Sequence, residues 1–251
     1  MIEKYTHLYG LIGYPLTHSF SKKHFGDKFA REKLDTYYYE LFPLAQLTDL
    51  PEILKKYPNL KGLNVTIPYK QSVIPFLDEI SEEAKRVGAV NTIKITDGKL
   101  TGYNTDVYGF EKSLLGMPPD GDRLPTHALV LGTGGAAQAI QYVLRKMNIT
   151  CQLVSRTASP NQITYEDLTP NHISDHPLII NTTPLGTFPK IDAAPALPYP
   201  KLTSKNYLFD LVYNPAETLF LRQGKKQGCK TKNGLEMLHL QAERAWQIWS
   251  T

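Results

Sequence analysis

The sequence predicts an α/β protein of two domains, and three observations carry that expectation. Residues 1–110 alternate β-prone runs with helix-like runs. Near the middle, an apolar run ends in glycines and passes directly into a helix-forming run. Beyond it, strands and helices alternate again as far as Lys232. Alternation of this kind favours mainly parallel sheets covered by helices. A chain of 251 residues is long enough to bury a sizeable core in one domain or two.

In the first domain, Tyr5–Ile12 reads as a strand and Lys22–Lys33 as a helix. Tyr37–Phe42 is β-prone, and Ala45–Lys56 reads as a helix stopped by Pro58. Leu60–Ile67 is a third strand, and Ser81–Arg86 is helical. Val90–Thr96 and Lys99–Thr101 flank Asp97-Gly98, a hairpin signal. Thr105–Leu115 reads as a helix leading into the second domain, and Gly116–Pro125 as an exposed loop. The strand that starts the second domain ends at the glycines, and Gln138–Met147 is its helix. Cys151–Val154, Leu178–Asn181 and Tyr207–Val212 are later strands. Thr187–Ser204 is a proline-rich surface connection, and Ala216–Gln227 is a helix ended by Gly228. No strand follows the last helix, Leu235–Trp249, so it is expected to pack back across the cleft. The expected bounds are 1–110 with 234–251 for one domain and 111–233 for the other.

Composition excludes several function classes. A net charge of +4 is mild and gives no support for a nucleic-acid role. Lys225, Lys226, Lys230 and Lys232 read as a solvated basic face. No apolar run is long enough to span a membrane, and the start does not read as a secretory signal. Cys151 and Cys229 make no disulfide framework and are expected as buried free thiols, which suits the cytoplasm. The seven histidines lack metal spacing; His18 and His24 share a face without a Cys or carboxylate cluster, so no metal is expected.

The central glycine stretch is Leu129-Val-Leu-Gly132-Thr133-Gly134-Gly135-Ala136-Ala137. Read as G-x-G-x-x-A, it places Gly132, Gly134 and Ala137 in the three small positions of a dinucleotide-binding turn. The first permits the sharp turn, the second lets the backbone approach a diphosphate, and the third lets helix and strand lie close. The helix start offers N–H groups and partial positive charge to the anion. After the next strand stands Ser155-Arg156-Thr157, where a carboxylate would select NAD. Arg156 suits a 2′-phosphate instead, so NADP is the expected cofactor.

Four polar stretches in the first domain ask for a ligand. Ser19 and Ser21 precede a helix, and hydroxyls with free N–H groups there suit a small carboxylate. Asn64-Val-Thr66-Ile-Pro68-Tyr-Lys70 closes the third strand, at the carboxyl end where open sheets bind ligands. Lys70 reads as a cation at a helix start, a mildly unfavourable place that asks for another reason. Gly88-Ala-Val-Asn91-Thr92 and Gly102-Tyr-Asn104-Thr105-Asp106 add amides for hydroxyl groups and a carboxylate able to pair with Lys70. Asp106 alone serves equally as a helix N-cap.

Together these residues resemble the shikimate dehydrogenase family. The resemblance covers nearly the whole chain. It also includes Ile180-Asn181-Thr-Thr-Pro-Leu-Gly186, Asp210-Leu-Val-Tyr213-Asn-Pro215 and Gly234-Leu-Glu-Met237-Leu-His-Leu-Gln241. It implies a substrate-binding α/β domain to which the C-terminal helix returns, a Rossmann-like NADP domain, and reversible reduction of 3-dehydroshikimate to shikimate. It further implies that Ser19 and Ser21 hold the carboxylate and that Thr66, Asn91, Asp106 and Gln241 bind ring hydroxyls. Lys70 and Asp106 become the catalytic pair, with Tyr213 near the substrate. Cofactor contacts fall on Gly132, Gly134, Gly135, Ala136, Ser155, Arg156, Thr157, Thr182, Leu185, Gly234 and Met237. The family includes monomers and homodimers. The chain departs from the family with Lys22 where a proline is usual, Thr133 where an alanine is usual, and no second basic residue soon after Arg156. The competing readings are an NAD-linked quinate and shikimate dehydrogenase, favoured by an acidic residue in place of Arg156, and a non-enzymatic NADP-binding regulator.

Overall fold

The computed structural model describes residues 5–16, 19–118 and 123–251. Thr17, His18 and the middle of the loop expected over Gly116–Pro125 lie outside the described residues. By its contacts the chain forms two compact units: residues 1–105 with 242–251, and residues 106–241.

The first unit is built on a six-stranded sheet. Its strands are β1 (His7–Gly13), β2 (Tyr37–Pro43), β3 (Leu60–Val65), β4 (Glu79–Ile80), β5 (Thr92–Thr96) and β6 (Lys99–Tyr103), in the order β2-β1-β3-β5-β6-β4. β1 pairs in parallel with β2 and β3, and β4 in parallel with β6. β3–β5 and β5–β6 are antiparallel. The β5–β6 turn has φ 50° at Asp97 and 80° at Gly98, the left-handed pair that a tight hairpin requires.

Along β1 the pleat sends Leu8 and Ile12 to one face and Tyr9 and Leu11 to the other. The first face packs on Leu50 of α2 (Leu50–Lys56), with Leu63, Val65 and Ile93. α3 (Glu82–Val87), capped by Ser81, adds Ala84. The second face is covered by Phe25 and Phe29 of α1 (Phe20–Arg31) and by Ala242, Ala245 and Trp249. Those last three sit on α8 (Leu235–Ser250), which belongs to this unit from Ala242 onward. Trp249 lies over Gly62, where a Cβ would stand 2.3 Å from the indole nitrogen, and donates to the Ile93 carbonyl at 2.9 Å.

Helix bounds differ from the expected ones for local reasons. α1 starts early because Ser19 caps it, accepting from the Lys22 N–H at 3.4 Å. It ends before Lys33, whose φ of 55° is not helical. Pro51 has no N–H and belongs in a first turn, so α2 starts at Leu50, after a short 3₁₀ turn at Leu47–Asp49.

The second unit carries an all-parallel sheet. Its strands are β7 (His127–Leu131), β8 (Thr150–Ser155), β9 (Gln162–Thr164), β10 (Leu178–Asn181), β11 (Tyr207–Asp210) and β12 (Lys230–Lys232). Their order is β12-β11-β10-β7-β8-β9. Counted from β7 this is 3-2-1-4-5-6, the doubly wound dinucleotide-binding order, with its switch point between β7 and β10. α5 (Gly135–Lys146) packs on β7 and β8, and α7 (Leu219–Lys226) on β11 and β12. α4 (Thr105–Leu115) places Phe110 edge-on to Phe209, and α6 (Pro170–Asp175) buries Ile173.

Two expectations are corrected here. The basic cluster is a solvated face only in part: Lys225 and Lys226 are exposed, but Lys230 lies 4.7 Å over the Tyr207 ring, and Lys232 donates to the Ser113 carbonyl at 2.7 Å and pairs with Glu236. Of the free thiols, Cys229 is buried just before β12, whereas Cys151 on β8 is only half-buried.

Candidate active site

In the first unit the expected substrate residues gather at the carboxyl ends of β1 and β3. Gly13 closes β1 where a Cβ would come within 2.4 Å of Thr66 Cγ2, so the two strand ends run in close approach. Tyr14 N–H then donates to the Ile67 carbonyl and Thr66 N–H to Ile12, at 3.1 and 3.0 Å. Ser19 and Ser21 flank the start of α1 next to this edge. Lys22 turns to Glu40 on β2 and lies 5.6 Å from the Tyr38 ring, so its added charge is met inside the unit.

Lys70 differs from its expected setting. Residues 67–73 form turns, followed by a 3₁₀ turn at Ile74–Phe76, so no α-helix dipole opposes its charge. Its backbone is fixed by the Val90 N–H, which donates to the Lys70 carbonyl at 2.7 Å.

Asn91 is buried and its side chain already does structural work. Its Oδ1 accepts from the Thr105 N–H at 2.7 Å, and its Nδ2 donates to Thr105 Oγ1 at 3.0 Å. That closes the start of α4. Asp106 follows as the second helical residue, 7% exposed, and is therefore not the N-cap. Asn104 holds the preceding bend by donating to the Ala89 carbonyl at 2.8 Å. A connected polar chain lies beneath. Tyr39 donates to Asn64 Oδ1 at 2.8 Å, and Asn64 Nδ2 donates to Thr92 Oγ1 at 3.3 Å. Thr92 donates to Asn91 Oδ1 at 3.1 Å. The Tyr39 phenol is pushed far up by burial and stays protonated.

In the second unit the glycine turn stands at the switch point. Gly132 has φ 107°, its N–H donates to Val154 at 2.9 Å, and a Cβ there would meet Thr182 Oγ1 at 2.8 Å. Only glycine fits both the dihedral and the contact. Thr182 binds the Leu131 carbonyl through its N–H and its hydroxyl, at 3.0 and 2.7 Å, and so joins β10 to the turn. Gly134 caps α5, and a Cβ there would have nothing within 4 Å. Gly135 and Ala136 form the first turn of α5, and Ala137 is fully buried. Ser155 is buried at the end of β8 and accepts from the Thr157 N–H at 3.3 Å, while Arg156 and Thr157 are exposed.

Leu185 is 37% exposed on the loop after β10. Tyr213 is half-buried, and burial raises its phenol pKa. Gly234 is buried against the Leu211 carbonyl, 2.1 Å from where a Cβ would stand. Met237 and Gln241 lie along α8 against Gly109 of α4, which a side chain would block.

The sequence reading quoted Asp210 in a motif but gave it no role. Asp210 is fully buried and receives Asn181 Nδ2, Thr218 Oγ1 and the Val212 N–H at 2.9, 2.6 and 3.0 Å. Burial raises its pKa to about 6 against these three donors. Asn181 Oδ1 in turn accepts from Thr183 N–H and hydroxyl, so this carboxylate anchors the loop that carries Thr182 and Leu185. Among the described residues, no group of three or more His, Cys, Asp or Glu is placed to hold a metal ion. No described helix is long and apolar enough to cross a membrane.

Residues 11–93 match the family model of the shikimate dehydrogenase substrate binding domain. The NADP-linked shikimate dehydrogenase of Methanosphaera stadtmanae is 38% identical over 100% of this chain and 93% of its own length. The chain belongs to the shikimate dehydrogenase family. A solved shikimate 5-dehydrogenase from Thermus thermophilus, in complex with NADP(H) and shikimate, is 33% identical with a TM-score of 0.83, covering 97% of this chain and 93% of that one. A quinate dehydrogenase from Corynebacterium glutamicum, in complex with NAD, is 29% identical with a TM-score of 0.86, covering 97% and 93%. The α/β architecture read from the sequence is thus that of a shikimate dehydrogenase.

Proposed function

We propose that this chain is an NADP-dependent shikimate dehydrogenase acting in the cytoplasm. The observation that carries the reading is full-length membership of the family together with a glycine turn at the switch point of a 3-2-1-4-5-6 sheet. The second unit fits the cofactor. Open space at Gly134, the start of α5 and the exposed guanidinium of Arg156 suit a diphosphate and a 2′-phosphate. Gly132, Gly135, Ala136, Ser155, Thr157, Thr182, Leu185, Gly234 and Met237 complete its contacts. When bound, NADP supplies hydride exchange with the substrate.

Ser19 and Ser21 hold the carboxylate, Thr66, Asn91, Asp106 and Gln241 take ring hydroxyls, and Tyr213 lies near the substrate. Reduction of the ketone places negative charge on its oxygen. The Lys70 ammonium stabilises that charge and gives its proton to the same oxygen, which becomes the hydroxyl of shikimate. In the oxidative direction Lys70 takes that proton back. Asp106 keeps the ammonium charged and holds a neighbouring hydroxyl.

The test is a spectrophotometric assay with shikimate and NADP, run beside NAD and beside quinate. Turnover confined to shikimate with NADP is expected. Arg156→Ala is expected to raise the KM for NADP by about tenfold, the scale of one charge-assisted contact, without raising that for NAD. Equal use of NAD and quinate by the parent chain would move it to the quinate branch, where Arg156 has no part. NADP binding without any turnover would favour the regulatory reading.

A further inference from the structure

Tyr39 has no place in the proposed chemistry, yet it heads the buried polar chain in the first unit. It is 1% exposed on β2. The amide of Asn64 is oriented by its own donors: Nδ2 faces the Asn91 carbonyl at 3.4 Å and Thr92 Oγ1 at 3.3 Å. Its Oδ1 must therefore accept, and the Tyr39 hydroxyl is the donor at 2.8 Å. From Asn64 the chain continues through Thr92 to Asn91 and on to Thr105, all 6% exposed or less. One phenol thus heads a chain that ends at the asparagine proposed for a ring hydroxyl and the start of α4.

We propose that Tyr39 is a positioning residue for the substrate, fixing through Asn64 and Thr92 the Asn91 amide proposed for a ring hydroxyl. This inference rests on the shikimate reading of the site. The phenol touches neither cofactor-binding residues nor Lys70 among its hydrogen-bond partners, so its loss is felt in substrate binding. Removing the hydroxyl leaves Asn64 Oδ1 buried without a donor, and the amide is then free to reorient.

Tyr39→Phe keeps the ring and deletes the hydroxyl. The expected result is a rise of about tenfold in the KM for shikimate, the scale set by one orphaned buried acceptor, with kcat within twofold and the KM for NADP unchanged. Phe25→Leu is the control. Phe25 stacks on the Tyr39 ring at 4.8 Å and carries no hydrogen bond, so it lowers thermal stability and leaves the KM for shikimate unchanged. If Tyr39→Phe yields no folded protein, Thr92→Val cuts the same chain one link further on and is expected to raise the same KM. Equal KM shifts in the Tyr39 and Phe25 variants, or no shift in either, would overturn the positioning role while leaving the function intact. Absence of shikimate turnover in the parent chain would overturn both.

Discussion

Lys70 owes its place to backbone contacts and not to a helix. The Val90 N–H on its carbonyl fixes the turn that carries it. Lys70→Ala is expected to lower kcat by 10²-fold or more, the scale of a lost proton donor, with NADP affinity within twofold. Steady-state rates beside cofactor titration check this, and unchanged kcat would remove Lys70 from the mechanism. Asp210 gives a pH-dependent signal. Its pKa rises from 3.8 to about 6 in the fold, so the folded chain binds that proton more tightly than the unfolded one. The stabilisation is complete below about pH 4 and is lost as the pH rises through 6, a change of roughly 3 kcal/mol. Urea unfolding of the parent and of Asp210→Asn across this range should show the parent losing stability relative to the variant by that order. A constant difference would refute it. Lys70 was given its role from a motif of seven residues. Asp210 stood in a quoted motif but was given no role, since that role depends on Asn181 across the sheet and on Thr218 beyond the next loop.

Elements were legible where their signals are local. β10 lies where the sequence put it, three apolar residues closed by Asn181, with every residue buried. The Asp97-Gly98 turn and α4 were readable for the same reason. β9 and β12 were not assigned, because three residues show no period, and their pairing comes from neighbouring strands. α7 was read too long. Thr218 donates to Asp210 and accepts from the Leu221 N–H, so a tertiary bond sets the start of the helix after Ala216 and Glu217. At the glycine turn the two glycines separate fold from ligand. Gly134 has open space around its missing side chain, so Gly134→Ala should shift the melting temperature by only a few degrees, the effect of a change below 1 kcal/mol. It should still raise the KM for NADP by about tenfold, because the methyl group occupies the path of a diphosphate. A variant with unchanged KM would place the cofactor elsewhere.

For the molecule as a whole, composition and alternation sufficed for the α/β class, and the return of the last helix to the first domain was expected from the missing strand after it and from the family resemblance. The second sheet face of the first unit is closed by Ala242, Ala245 and Trp249, on the far side of residues 106–241 in sequence. Helical periodicity marked these positions as apolar without saying which core they join. Trp249→Ala removes an indole that is 6% exposed and its bond to Ile93. The expected loss is about 3–5 kcal/mol in denaturant unfolding, assigned to the first unit by hydrogen exchange at β1, β3 and β5. A loss below about 1 kcal/mol would mean that the face closes without it. The same arrangement orders events during synthesis. Residues 5–105 emerge from the ribosome with the groove beside Gly62 and Tyr9 still awaiting its indole. The second unit, contiguous in sequence, has all its strands before Trp249 is translated. The half of the molecule that is made first is therefore the half that is finished last, and nascent chains stalled before residue 242 should engage chaperones through the open aromatic face of β1.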